Sequence, residues 1–242
     1  MTTAANPISL PVRLGYTFIG YYSASSGGTK YIGSNRYITS DGITAGKGYT
    51  SNQTWYAQWQ PNTLTVQFNA NGGTGSMSNE TFTYDTAKTL TANGFTAPNG
   101  YQFGGWAASS AEAIAGTIKY NNQESVTNPN GITSGSTTLY AIWKRTINFY
   151  SGLDSGINTT RIQYYDGANN RGVNITTPTM TDCADLFTGW TKLGWRDDQI
   201  AGVSEYNFNT SISPSVTSYY AVYSGSATFY HGYNKASSTS VT

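Results

Sequence analysis

Few side chains in this sequence are equipped for chemistry, and none stands in a pattern that would use them. A Ser-His-Asp relay or a histidine-ligated metal needs imidazole, and the chain has one histidine, His231. Cys183 is equally alone, so no internal disulfide or thiolate metal site forms, and it reads as an idle thiol. Asp197 and Asp198, with Asp185, are the one acidic grouping. A calcium loop needs oxygen ligands at ordered alternate positions, so these three read as a solvated loop. The run Asn71-Gly72-Gly73-Thr74-Gly75-Ser76 has the glycines of a phosphate cradle. It lacks the lysine and helix that must follow, and it reads as a hairpin turn. The 12 Asp and Glu residues leave a two-carboxylate glycosidase as the remaining catalytic option, with no pair marked out. The expectation is a protein without catalysis, metal or cofactor.

Aromatic rings are what the chain has in quantity: 14% of residues, including 20 Tyr and 6 Trp, against 10% charged where roughly 25% is usual. Flat rings serve sugar stacking or core packing, and spacing separates the two uses. Thr54-Trp55-Tyr56-Ala57-Gln58-Trp59, Thr138-Leu139-Tyr140-Ala141-Ile142-Trp143 and Ser218-Tyr219-Tyr220-Ala221-Val222-Tyr223 are three versions of one ladder, ending 84 and then 80 positions apart. A second mark recurs in step as Phe18-Ile19-Gly20-Tyr21, Phe103-Gly104-Gly105-Trp106 and Phe187-Thr188-Gly189-Trp190, at intervals of 85 and 84. Two marks in the same order at matching intervals define a tandem array. Rings that recur, such as Phe103, Trp106, Tyr140 and Trp143, are expected inside each small unit. Rings that do not recur (Tyr22, Tyr49, Tyr165 and Trp195) are the candidates for contact with a ligand.

The elements that must position these rings are strands. Leu64, Val66, Phe68 and Ala70 alternate with polar neighbours, the period of a strand with one buried face. After the glycine turn, Phe82 and Tyr84 mark a return strand; Asn99-Gly100 is another turn; a short helix is expected within 107–127; and Thr137 to Trp143 closes the unit. In the third repeat Ile147 and Phe149 follow Val66 and Phe68 by 81 positions, and Ile162 and Tyr164 follow Phe82 and Tyr84 by 80. Ala227 and Phe229 begin another round. The expected class is α+β, predominantly β, in tandem units of about 80 residues. They divide as 1–60, the second half of a unit; 61–144, a complete repeat; 145–224, a complete divergent repeat; and 225–242, the start of a further one.

Val66-Gln67-Phe68-Asn69-Ala70-Asn71-Gly72-Gly73-Thr74-Gly75, Gly100-Tyr101-Gln102-Phe103-Gly104-Gly105-Trp106 and Thr138 to Trp143 together resemble the Listeria-Bacteroides repeat, also called the internalin-type B-repeat. The middle repeat is similar along its whole length. The others are similar through their aromatic marks, with the Asn-Gly-Gly turn replaced by Ser151-Gly152-Leu153-Asp154 in the third. The resemblance implies a compact β-grasp-like module, strung in tandem on bacterial surface proteins and linked with adhesion. It brings no catalytic residues.

A net charge of +1 gives no electrostatic case for nucleic acid or an anionic membrane. No apolar run approaches the roughly 20 residues that cross a bilayer, so membrane insertion of this segment is not expected. Export and anchoring signals are expected on a longer parent chain. The first functional expectation is a non-enzymatic extracellular repeat segment of a bacterial surface protein, a stalk or adhesive array. Its partner would be a surface protein or glycan of a host or neighbouring cell. A second is a carbohydrate- or mucin-binding module using the non-recurring Tyr and Trp residues. A third is self-association into a filament, with the strand in 226–242 docking head to tail on the half repeat of a neighbour.

Overall fold

The computed structural model describes residues 9–48, 52–151, 156–173, 175, 178, 189–196, 217–225, 227–230 and 238–241. In chain order they form β1 (Tyr16–Tyr22), β2 (Lys30–Gly33), α1 (Ser40–Gly48), β3 (Tyr56–Pro61), β4 (Thr63–Asn69) and β5 (Glu80–Thr83). Next come β6 (Lys88–Thr89), β7 (Gln102–Ala107), α2 (Ser110–Ala115), β8 (Ser125–Val126), β9 (Gly135–Tyr150) and β10 (Ile157–Asp166). The last are β11 (Arg171–Gly172), β12 (Thr191–Arg196), β13 (Ser218–Ser224), β14 (Ala227–Tyr230) and β15 (Ser238–Val241). The fold is predominantly β. The expected middle helix is α2, capped by the Ser109 hydroxyl, which accepts from Glu112 N–H.

These elements gather into two compact units, Met1–Phe68 with Ser78–Ala92 and Asn122–Leu139, and Asn69–Met77 with Asn93–Asn121 and Tyr140–Thr242. In the first, β1 pairs antiparallel with both β2 and β3, so β3 is an outer strand. β4 pairs antiparallel with β5, and β6 with β8. Leu64 and Val66 turn inward and are fully buried, joined inside the unit by Phe82, Leu90, Val126 and Leu139.

The second unit is built on β9. β10 lies antiparallel on one side of it, β13 lies parallel on the other, and β12 lies antiparallel beyond β13. β7 pairs antiparallel with the Tyr140–Lys144 stretch of β9. Ile147, Phe149, Trp195 and Tyr219 form one buried cluster, and Ala107, Ala113 and Ile142 another.

Strand pairing fixes which residues correspond between repeats, and in two places it corrects the reading from spacing. In each repeat the strand beside the closing strand bulges at a glycine: Gly20 opposite Gln58, Gly105 opposite Ile142, Gly194 opposite Val222. Gly20 and Gly105 have φ of +145° and +131°, conformations that an L side chain resists. The following residue faces an alanine: Tyr21 faces Ala57, Trp106 faces Ala141 and Trp195 faces Ala221. Trp195, not Trp190, is therefore the counterpart of Trp106. Of the two neighbouring Gly-Trp pairs, only Gly194-Trp195 lies on β12. Trp195 is 1% exposed and Trp190 40%, the reverse of what spacing implied.

The second correction concerns the return strand. Val66 pairs with Glu80 and Leu64 with Phe82; Ile147 pairs with Arg161 and Arg145 with Gln163. The offset is thus 81 throughout, and Gln163 holds the place of Phe82 while Tyr165 holds that of Tyr84. Ile162, matched by spacing to the buried Phe82, is 43% exposed. A slip of one residue on a strand exchanges its two faces, so a spacing error of one inverts the assignment.

Candidate functional site, the joints between repeats

Of the four aromatics proposed for ligand contact, three lie among the described residues. Tyr22 is half-buried, with the Lys30 ammonium 5.4 Å from its ring centre. Tyr49 lies outside the described residues. Tyr165 and Trp195, expected at the surface, are buried: Tyr165 packs edge-on against Tyr101, and Trp195 holds the place that Trp106 has in the middle repeat. Cys183, Asp185, Asp197, Asp198 and His231 also lie outside the described residues. Among the described residues no three His, Cys, Asp or Glu side chains are placed to hold a metal ion. No helix there is long and apolar enough to cross a membrane.

The polar chemistry that the structure does concentrate lies where one repeat meets the next. β3 and β4 are separated by a single residue, Asn62, whose polar groups are all used. Its N–H donates to Gly15 O and its carbonyl accepts from Tyr84 N–H, each at 2.9 Å. Its Oδ1 accepts from the Thr17 hydroxyl at 2.7 Å, and its Nδ2 donates to Thr133 O at 2.8 Å. Gly15 and Thr17 belong to the first repeat, Tyr84 and Thr133 to the middle one. Beside this knot Tyr16 meets Tyr84 edge-on, with ring centres 5.5 Å apart, and donates its hydroxyl to Asp85 Oδ2 at 3.0 Å. That bond is the main cause that raises the Tyr16 hydroxyl above the usual phenol pKa. Gly15 stays a glycine for two reasons: its φ is +76°, and a Cβ would fall 2.2 Å from the Tyr84 ring.

The second joint repeats the Gly-Tyr device with different partners. β9 carries the closing strand of the middle repeat and the opening strand of the third without interruption. Tyr101 of the middle repeat meets Tyr165 of the third edge-on, centres 4.9 Å apart. Its hydroxyl donates to Gln163 Oε1 at 3.1 Å, and Arg145 Nε donates to the same oxygen at 2.7 Å. Gln163 Nε2 donates to Val173 O at 2.8 Å. Gly172 leaves room for this network, since a Cβ there would fall 2.5 Å from both Gln163 and the Tyr101 oxygen. The Arg145 guanidinium lies 5.0 Å from the Tyr101 ring centre. Burial raises the Tyr101 pKa and lowers that of Arg145.

A further contact comes from α2, whose left-handed cap Gly116 (φ +73°) lies against the Tyr164 ring, where a Cβ would be 2.0 Å away. Sequence reasoning missed Gln163, Arg145 and Asn62, because an isolated polar residue beside a strand reads as solvent-facing. Both joints fasten one repeat to the next.

Residues 1–58 and 65–142 match the model of the Listeria-Bacteroides repeat domain. That family is typical of bacterial surface proteins and is not known as a family of enzymes. No curated protein and no solved structure matches the chain. On these matches, and on the repeated glycine and aromatic pattern beneath them, the chain belongs to the Listeria-Bacteroides repeat domain family.

Proposed function

We propose that the chain is a non-enzymatic extracellular segment of a bacterial surface protein, a stalk within an adhesive array whose repeats transmit tension. Each complete repeat is taken as a β-grasp-like sheet, with the return, opening, closing and bulged strands side by side; in the third repeat these are β10, β9, β13 and β12. The observation that carries the reading is the parallel pairing of the opening and closing strands. Ser218, Tyr219 and Tyr220 lie beside Asn148, Phe149 and Tyr150, and Asn148 N–H donates to Thr217 O at 2.8 Å. The chain enters a repeat along one strand and leaves along its neighbour in the same direction. Tension therefore slides the two past each other and loads their hydrogen bonds and ring pairs together, where an antiparallel hairpin would open one bond at a time. The joints support the same reading, because neither uses a flexible linker.

The competing use of aromatic rings, as sugar platforms, is separated by a glycan array probed with the chain. A stalk gives no binding above background. Specific glycan binding that Tyr22→Ala or Tyr56→Ala abolishes would move the function to carbohydrate recognition.

A further inference from the structure

Tyrosine rings meet at both joints and again between the opening and closing strands of the third repeat. The ring centres of Tyr16 and Tyr84 are 5.5 Å apart, those of Tyr101 and Tyr165 4.9 Å, and those of Tyr150 and Tyr220 5.1 Å. Two phenols this close can be joined ring to ring, provided that each can lose an electron and a proton. What separates the pairs is access for an oxidant and a base placed to take the proton.

The pair at the second joint has neither. Tyr101 and Tyr165 are each 8% exposed, and the Tyr101 hydroxyl donates to a neutral amide oxygen, Gln163 Oε1. Tyr150 and Tyr220 are half-buried and stack nearly parallel, at an interplanar angle of 18°. Among the described residues neither of their hydroxyls bonds to a carboxylate.

The pair at the first joint has both. Tyr16 and Tyr84 are each half-buried. The Tyr16 hydroxyl donates to Asp85 Oδ2 at 3.0 Å, and a carboxylate there can take the proton as the phenol loses its electron. Asp85 is held in place for this. Its Oδ1 accepts from Asn128 Nδ2 at 3.0 Å, and its N–H donates to Asn128 Oδ1 at 2.8 Å. The Arg13 guanidinium lies 3.7 Å from the Tyr16 ring centre and opposes electron loss; the Asp85 carboxylate at the hydroxyl offsets that charge. The rings cross at 76°, which turns the edge of one toward the face of the other.

We propose that Tyr16 and Tyr84 form an oxidative cross-linking site, joined ring to ring when a haem peroxidase with hydrogen peroxide supplies the oxidant. Each phenol gives up one electron; the Tyr16 proton passes to Asp85 and the Tyr84 proton to water. The two radicals couple through a Cε of each ring, the carbon next to the hydroxyl. The hydrogens on those carbons then shift to the oxygens and restore both phenols. The two electrons and two protons lost reduce one peroxide to two waters. The new bond ties the first repeat to the middle one, so the joint that Asn62 holds by hydrogen bonds becomes covalent. This goes beyond the stalk reading and stands whether or not the chain bears tension.

The test treats the dilute 242-residue chain with a haem peroxidase and hydrogen peroxide, digests the monomer band and maps cross-linked peptides by mass spectrometry. The expected product is the Tyr16 peptide joined to the Tyr84 peptide with the loss of two hydrogens, accompanied by dityrosine fluorescence. Tyr16→Phe and Tyr84→Phe should each abolish it. Asp85 has a left-handed backbone (φ +59°) that asparagine also accepts, so Asp85→Asn removes the base and keeps the turn. That variant should form the product about tenfold more slowly, less than a positioned base usually contributes because water competes at a half-buried site. Circular dichroism checks that each variant is folded. Absence of the Tyr16–Tyr84 product from the folded parent chain overturns the proposal. So does a Tyr101–Tyr165 product in equal yield, or a folded Asp85→Asn variant that reacts at the parent's rate.

Discussion

Arg145 and Gln163 face each other across the β9–β10 ladder, at the positions where Leu64 and Phe82 face each other in the middle repeat. The pair is apolar in the middle repeat and polar in the third. Gln163 is fully buried and Arg145 is 3% exposed. Gln163→Leu removes the acceptor of both the arginine and the Tyr101 hydroxyl and should cost about 1–3 kcal/mol, the penalty of leaving buried donors unmet. Arg145→Leu combined with Gln163→Phe rebuilds the middle repeat's pair and should recover most of that loss, as apolar replacements of buried polar pairs often do. Urea denaturation of Arg145→Leu, Gln163→Phe and their combination, beside Gln163→Leu, checks this. Losses that simply add would show that the pair is not coupled.

The reassigned tryptophans make a sharper test. Trp195 is enclosed and its indole N–H donates to Pro178 O at 3.0 Å. Trp195→Ala should lower stability by about 3–5 kcal/mol, the range for emptying a large aromatic site. Trp190→Ala should cost no more than about 1 kcal/mol, as expected of a partly exposed residue. Thermal melts that rank the two in the opposite order would restore Trp190 as the core residue.

The alternation of Leu64, Val66 and Phe68 and the closing strands were legible in the sequence because one buried face imposes a period of two. The choice between Gly189-Trp190 and Gly194-Trp195 was not. Interval counting cannot see a change in loop length, and only the bulge opposite the closing strand identifies the right glycine. Helix α1 was hidden for another reason: its sequence is rich in glycine, and it is held from outside itself. The Thr39 hydroxyl accepts from Gly42 N–H at 3.1 Å, and Gly42 lies so near β2 that a Cβ would fall 2.3 Å from Tyr31 O. The Gln163 network stayed hidden because its partners, Tyr101 and Val173, are far from it in sequence or belong to no strand pattern.

The joints should respond to alkali. Burial raises the Tyr101 pKa, and its bond to Asp85 raises that of Tyr16, so the folded state favours both neutral phenols. Their contribution is fully present below the ordinary value of about 10 and is lost as pH rises through the higher folded-state values. Melting temperature should therefore fall on raising the pH past about 10, and less steeply in Tyr101→Phe. A Tyr101→Phe variant with the same alkaline slope as the parent would place the sensitivity elsewhere.

At the first joint Asn62→Ala deletes two side-chain hydrogen bonds, to Thr17 and Thr133, and leaves the main-chain pair intact. A loss of about 1–2 kcal/mol is expected, with faster amide exchange at Tyr84, whose N–H bonds to Asn62 O at 2.9 Å. Unchanged exchange at Tyr84 would mean that the side chain does not stabilise the joint.

Single-molecule stretching of the chain by its two ends, with and without a lock across the parallel strands, measures tension transmission directly. In a Cys183→Ser background, Asn148→Cys with Ser218→Cys joins two paired residues of β9 and β13. Without the lock, the third repeat should give a discrete rupture peak as these strands shear. With the disulfide closed, that peak should vanish and the extension should shorten by roughly 240 Å, the reach of the enclosed residues at about 3.4 Å each. Featureless extension of the unlocked chain, or a third-repeat peak at unchanged force with the lock closed, would contradict a repeat whose resistance lies in its opening and closing strands.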